Sequence, residues 1–131
     1  MNRPCCAVTA IFALAAVASL AGCPNTDEIA LGQTTAAPAT KTAYLNNDED
    51  GTGYYLNISP GVAIGVRCWD SCSYACDGAV VTSNDDAVLS ILDADPALAS
   101  PHYVLVAHAL GTTQLEVRNA CATQIYSVTV E

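Results

Sequence analysis

Cysteine is the residue type with the most chemistry to offer in this 131-residue chain, which has seven cysteines and two histidines. Four of the cysteines lie in the second half of the chain, at Cys68, Cys72, Cys76 and Cys121. Four thiols can form two disulfides or a four-sulfur zinc site. Disulfides belong to oxidising compartments, whereas cysteine clusters in reducing compartments more often bind metal. The choice therefore depends on where the protein resides.

The N-terminal segment indicates that location. Arg3 precedes a run of apolar and small residues, 5–20, which leads into Leu20-Ala21-Gly22-Cys23. A positive residue, a short apolar run and small residues before a cleavage point are typical of a signal peptide. The tetrapeptide is similar to the lipobox of bacterial lipoproteins, in which the cysteine is lipidated and becomes the first residue of the mature chain. The alternative, a retained anchor helix, would need about 20 apolar residues.

We therefore predict a signal peptide over residues 1–22 and a lipid anchor at Cys23, which would attach the protein to a membrane of the bacterial cell envelope, at the outer membrane or the cell surface. In an exported chain we expect two disulfides among Cys68, Cys72, Cys76 and Cys121, with three possible connectivities, and no metal site. Loss of Arg3 would make the chain one unit more negative than its full-length net charge of −9. That charge argues against nucleic acid as a partner.

The residues after Cys23 divide into a tether and a domain. Residues 23–42 are rich in Thr, Ala and Pro and lack a period of 2 or 3.6, which predicts a flexible tether. Residues 43–131 are predicted to form an all-β, Ig-like antiparallel sandwich of about seven strands. The predicted strands are 54–58, 62–68, 79–82, 88–92, 103–109, 113–118 and 125–130. Strict alternation in the second and sixth strands predicts one buried face and one exposed face.

An acidic stretch and two histidines offer weaker signals. Residues 46–51 carry oxygen side chains at alternate positions before a glycine, like the start of a calcium loop, but Asn57 occupies the position where that loop needs a bidentate Glu. We interpret the stretch as an acidic turn. His102 and His108 flank one predicted strand about 20 Å apart, too far to share a metal or substrate atom, and no nucleophile motif accompanies them. We predict no catalytic residue and no cofactor.

Three stretches of the predicted domain resemble a known family. They are Ser-Asn-Asp-Asp-Ala-Val-Leu-Ser-Ile at 83–91, Val-Ala-His-Ala-Leu-Gly-Thr-Thr-Gln-Leu-Glu-Val at 106–117, and Val-Thr-Val at 128–130. They resemble the bacterial immunoglobulin-like domain of group 2, over residues 54–130. The resemblance implies a non-enzymatic binding or structural role in the envelope, with a protein or polysaccharide partner. The alternative is an accessory or inhibitor subunit of an envelope enzyme or transporter.

An Ig-type sandwich would bring the cysteines together. The loop between its second and third predicted strands and the loop between its sixth and seventh lie at the same end. We therefore expect Cys121 to join Cys68 or Cys76, with the other two cysteines of the triplet joined locally. Trp69 and Tyr74 lie among these cysteines and are the candidate partner-binding residues. The alternative for Trp69 is that it covers the end of the core.

Overall fold

The computed structural model describes residues 28–71, 76, 78–94, 102–120 and 122–131. These residues form nine β-strands and no helix, so no helix in the described ranges is long and apolar enough to cross a membrane. The strands are β1 (Ile29–Gln33), β2 (Ala43–Asn47), β3 (Tyr54–Ile58), β4 (Ala63–Asp70), β5 (Val80–Ser83), β6 (Leu89–Asp93), β7 (His102–Ala107), β8 (Gly111–Arg118) and β9 (Thr123–Val130).

The strands form two sheets, one of four strands in the order β1-β4-β7-β6 and one of five in the order β2-β3-β9-β8-β5. All pairs are antiparallel except β3 and β9, which run parallel. With β1, β4, β5, β6, β7, β8 and β9 taken as strands A to G, the sheets contain the A-B-E-D and C-F-G orders of an Ig sandwich. Strands β3 and β2 extend the second sheet beyond β9. The predicted Ig-like sandwich is therefore confirmed.

All seven predicted strands are present, with ends shifted by two residues or fewer. The alternation predicted a buried face correctly, because Ile64, Val66 and Cys68 of β4 are fully buried while Arg67 between them is exposed. Leu115 and Val117 of β8 are also fully buried, with Glu116 half-buried between them. These inward side chains from both sheets make one continuous core, which is how period-2 strands bury apolar area without a helix.

Two strands were not predicted, and one of them corrects the domain boundary. Strand β1 lies inside the segment 23–42 that was predicted to be a flexible tether, and it pairs with β4 along its whole length. Ile29 and Leu31 are 2% and 0% exposed, so burial of two large apolar side chains holds this strand in the fold. The tether prediction is therefore wrong from Ile29 to Gln33. Strand β2 lies within the predicted domain, on the edge of the five-stranded sheet.

The two sheets are joined at their β1 and β2 edges by a closed set of hydrogen bonds around Leu31. The Leu31 amide donates to the Tyr126 hydroxyl at 2.9 Å, and that hydroxyl donates to Asn47 Oδ1 at 2.6 Å. The Asn47 amide nitrogen in turn donates to the Leu31 carbonyl at 3.0 Å. Both main-chain groups of Leu31 are thus satisfied by side chains of the other sheet, at a strand edge that would otherwise be open.

Candidate functional site

One end of the sandwich collects the segments that carry most of the predicted site residues. Asp70 at the end of β4 accepts a hydrogen bond of 3.0 Å from Asn119, just after β8. Glu28 and Ser71 exchange two hydrogen bonds, of 2.8 and 2.9 Å, which brings the start of β1 to the same end. The predicted proximity of the β4–β5 and β8–β9 segments is therefore confirmed.

The disulfide pattern differs from the prediction. Cys68 is joined to Cys76, with Cα atoms 5.8 Å apart, and both residues are fully buried. A bond from Cys121 to Cys68 or Cys76 is therefore wrong, because each sulfur forms only one disulfide. The physical reason is that Cys68 is the inward residue near the end of β4 and Cys76 returns to the same core.

Several predicted site residues lie outside the described residues. They are Cys23, Cys72, Tyr74 and Cys121. Trp69 is described and is 38% exposed, on the outer side of β4 opposite Ala30 of β1. Its side chain points to the face of β4 opposite the inward Cys68, and its ring is partly accessible to a partner.

The outer face of the four-stranded sheet carries Trp69 at the disulfide end and an apolar set of residues further along, with the row of Arg67 and His102 between them. We call this surface the tryptophan face. Ala63, Trp69 and Leu92 are exposed, and Val104 and Val106 are half-buried. Arg67, which is exposed, is opposite His102 in the β4–β7 register. The pairing of β1 with β4 continues for one more position, where the Thr34 amide donates to the Gly65 carbonyl at 2.8 Å and the Gly65 amide donates to Thr35 Oγ1 at 2.7 Å. The side chains of Thr34 and Thr35 lie over Gly65 on this face.

The side-chain amide of Asn46 lies at the centre of the acidic turn. The amide nitrogen of Asn46 donates to Asp50 Oδ1, Thr52 Oγ1 and the Gly53 carbonyl, at 3.1, 3.3 and 2.8 Å. The oxygens that a calcium ion would need are thus turned towards an NH2 group. Hydrogen bonds from Thr52, more than the bond from Asn46, lower the pKa of Asp50. The turn closes on itself and brings no group of three metal ligands together in the described part of the chain.

The structure brings together one serine and one histidine that lie 18 residues apart. His108 Nε2 lies 2.7 Å from Ser90 Oγ, beside the free edge of the four-stranded sheet. A serine nucleophile needs a base that a third group orients, and donors for the developing oxyanion. Within the described residues no carboxylate is bonded to the His108 ring, and the groove described below does not include this pair. The contact is a surface hydrogen bond of the β6–β7 pair.

The outer face of the five-stranded sheet carries a set of residues that the sequence did not single out. Two adjacent rows run across its strands. One row follows the register Tyr44–Asn57–Thr129–Thr112, and the other follows Tyr55–Ser127–Gln114 and continues to Asn84. We call these eight residues the tyrosine face. They supply two aromatic rings, three amides and three hydroxyls, and none of them is charged.

The two tyrosines form one end of this surface. Their ring centroids are 5.9 Å apart with the planes inclined by 51°, and Tyr44 is 49% exposed. Partial desolvation raises the pKa of Tyr44, with smaller contributions from Tyr55, Asp50 and Glu49. The phenol therefore stays protonated at neutral pH and can donate a hydrogen bond. The acidic turn lies close enough to make this side of the surface electronegative.

A groove of about 480 Å³ forms the other end, and five residues of the tyrosine face line it. They are Asn84, Thr112, Gln114, Ser127 and Thr129. Asn84 donates to Gln114 twice, through its main-chain and side-chain nitrogens, at 3.0 and 3.2 Å. These bonds hold the segment after β5 against β8. Asp85 also lines the groove, where its Oδ1 accepts a 2.9 Å hydrogen bond from the Ala87 amide.

No family model matches this chain, and neither a curated protein nor a solved structure matches it. Its resemblance to the group 2 bacterial immunoglobulin-like domain stays a prediction based on three short stretches. The class of protein defined by the coordinates is an all-β sandwich with Ig strand order and a disulfide at one end.

Proposed function

We propose that this chain is an exported lipoprotein of the bacterial envelope, attached through Cys23, whose sandwich is a non-enzymatic binding domain. The observation that carries the proposal is the disulfide between Cys68 and Cys76. Disulfides are characteristic of exported chains, and a signal peptide with a lipobox is the route that the sequence offers to such a compartment.

Because β1 starts at Ile29, the proposed anchor at Cys23 must lie close to the sandwich. Only residues 24–27 separate Cys23 from Glu28, so the two Cα atoms can be at most about 18 Å apart. Glu28 is bonded to Ser71 at the disulfide end of the sandwich. The proposed lipid would therefore hold this end close to the membrane. The outer faces of both sheets would then stand roughly perpendicular to the membrane surface, where a partner can reach them from the side.

The two outer faces and the groove favour binding over catalysis. The groove residues are hydroxyl, amide, apolar and carboxylate side chains, with no histidine or cysteine among them. A binding surface needs shape and hydrogen-bonding groups, whereas acid–base or nucleophilic catalysis needs a base placed beside a reacting atom. The proposed domain binds a partner without changing it.

Exposed Trp69 favours a second candidate function. Its position on the outer face at the disulfide end of the sandwich, closest to the proposed anchor, suits contact with a membrane-bound enzyme or transporter. The chain would then be an accessory or inhibitor subunit. Stoichiometric co-purification of such a protein from detergent-solubilised membranes would favour this candidate over a free binding domain.

Replacement of Cys23 tests the anchor. In bacterial cells that process lipoproteins, the full-length chain should incorporate radiolabelled palmitate and partition with the membranes. Cys23→Ala should lose both properties, because it lacks the acceptor thiolate. Cys72→Ala is the matched control, since it also removes a single thiol but leaves the lipobox intact. Palmitate label that persists in Cys23→Ala, or wild-type protein that carries none, would contradict the proposal.

A further inference from the structure

We infer that the tyrosine face binds a neutral polysaccharide. This inference rests on the proposed function, that of an envelope binding domain, and names the chemical class of its ligand. The eight residues are Tyr44, Tyr55, Asn57, Asn84, Thr112, Gln114, Ser127 and Thr129.

Charge selects this class of ligand. The chain has 13 acidic residues against four Lys and Arg, yet no acidic or basic residue occupies either row of the face. The nearest ion pair on this side of the sheet, Arg118 with Glu116 at 3.5 Å, is internal to β8. An anionic polymer would find no cation on the face and would meet Glu49 and Asp50 beside Tyr44. A basic partner would find no carboxylate in either row.

Hydrogen-bonding capacity agrees with a polyol ligand. The hydroxyls of Thr112, Ser127 and Thr129 can donate and accept, and the amides of Asn57 and Gln114 offer both functions. Sugar hydroxyls also donate and accept, so each can be matched without a charge. Ser127, Gln114 and Thr112 are exposed, so their polar groups, except Gln114 Oε1 where it accepts the bond from Asn84, can exchange water for a ligand.

The aromatic rings complete the recognition. A sugar ring presents a face of C–H groups that packs against the flat surface of an aromatic side chain, as apolar surfaces do elsewhere. Tyr44 and Tyr55 are inclined to one another by 51°, so the two rings present different planes to successive sugar units.

The dimensions suit a chain molecule. The rows cross four neighbouring strands, β2, β3, β9 and β8, which spans about 14 Å at the usual strand spacing. The rows end in the groove beside Asn84, where a polymer can continue past the edge of the sheet. An extended ligand can therefore lie across the strands from the tyrosines to the groove.

Affinity gel electrophoresis of the mature domain with its disulfides intact tests this inference. The gels contain soluble glucan, mannan or galactan as neutral probes, or alginate as an anionic contrast. At least one neutral polymer should retard the protein, and alginate should not. Ser127→Lys should weaken the binding about tenfold or more, since a long charged side chain would stand in the middle of the face, and 1.4 kcal/mol corresponds to a factor of ten. Thr123→Lys is the matched control, on the same strand and facing the same way, four residues from Ser127.

A second pair of variants tests the aromatic contact. Tyr44→Ala should weaken retardation about tenfold, whereas Tyr44→Phe, which keeps the ring, should retain most of it. Val80→Ala is the matched control, because Val80 has a similar exposed fraction of 46% and lies outside both rows. Circular dichroism should show that all variants are folded.

Four outcomes would overturn the inference. They are no retardation by any neutral polymer, equal retardation by alginate, unchanged binding in both Ser127→Lys and Tyr44→Ala, or a dimer that Ser127→Lys converts to a monomer. The last outcome would make the face an interface between copies of this chain. If retardation fails while Cys23-dependent palmitate labelling holds, only the ligand class is wrong and the anchored binding domain stands.

Discussion

The two outer faces of the sandwich are built from the same kind of strand but differ in chemistry. The tryptophan face exposes Trp69 at one end and Leu92 beside half-buried valines further along, and the side chains of Thr34 and Thr35 cover Gly65. The tyrosine face exposes hydroxyls and amides beside two phenol rings. Since the inward faces of both sheets form one apolar core, burial does not account for this difference. The outward residues are free to serve separate contacts.

The difference also follows the geometry of the disulfide end. Trp69 lies one residue beyond Cys68, so the tryptophan face is braced close to the proposed membrane attachment. The rows of the tyrosine face cross the other sheet in the half away from the disulfide end, with β2 and β3 forming one side. A contact with another membrane protein suits the first position. A long polymer that approaches from the side suits the second.

Both faces depend on the two sheets being held together, and Tyr126→Phe should produce the largest loss of stability. Without its hydroxyl, the Leu31 amide and Asn47 Oδ1 lose their partners in the seam between the sheets. We expect the free energy of unfolding in urea to fall by about 2–4 kcal/mol, since each buried group left unpaired costs about 1–3 kcal/mol. Tyr44→Phe, which alters an exposed phenol, should change it by less than about 0.5 kcal/mol. Equal effects of the two variants would mean that the seam does not hold the sheets together.

Removal of the disulfide should affect the tryptophan face and leave the tyrosine face unchanged. Cys68→Ala with Cys76→Ala should lower the free energy of unfolding by about 2.5 kcal/mol, from the entropy of a loop closed over eight positions. The fluorescence of Trp69, the only tryptophan, should become more accessible to acrylamide. Retardation by a neutral polysaccharide should not change, because neither row includes these cysteines. Loss of polysaccharide binding in the folded variant would show that the faces are not independent.

Alkaline pH should destabilise the fold through the buried phenol of Tyr126. Burial raises the pKa of Tyr126 well above its ordinary value of 10.0. In the unfolded chain that phenol loses its proton above pH 10 while the folded chain keeps it, so stability is fully present below pH 10 and falls as the pH rises. The slope should approach about 1.4 kcal/mol per pH unit for this group. Urea midpoints from pH 8 to 11.5 measure it, and Tyr126→Phe should have a shallower slope. Parallel slopes for the two proteins would contradict the assignment to Tyr126.

The sequence predicted the sandwich because its local patterns were strong. Alternation in β4 and β8 identified both the strands and their buried faces. Strand β1 was missed because Ile29, Ala30 and Leu31 are all buried and so show no alternation, and Gly32 follows them. Its pairing with β4, the burial of Ile29 and Leu31, and the bonds from Tyr126 and Asn47 hold it in the fold. Those contacts come from residues 16 to 95 positions away.

The tyrosine face could not be predicted for a similar reason. Each of its residues is an ordinary outward residue on its own strand, and Tyr44 belongs to β2, which no pattern identified. Parallel pairing of β3 with β9 places Tyr55 opposite Ser127, 72 positions later in the chain. The predicted partners of the cysteines were wrong for a more local reason. The sequence located the right end of the sandwich, but the choice of partner depended on which sulfurs point inward.

The seam around Leu31 has a mechanical consequence. If Cys23 carries the lipid, any force on the domain reaches it through Glu28, and β1 is the first strand under load. Its pairing with β4 can open one residue at a time from Ile29, until the bonds to Leu31 from Tyr126 and Asn47 resist. Once those bonds break, the chain up to Thr42 would be free to extend. These 14 residues would add up to roughly 50 Å between the lipid and the rest of the domain. In a lipid-anchored chain, the hydrogen bond from Tyr126 to Leu31 would therefore set the force at which β1 detaches and the segment between the lipid and the domain becomes longer.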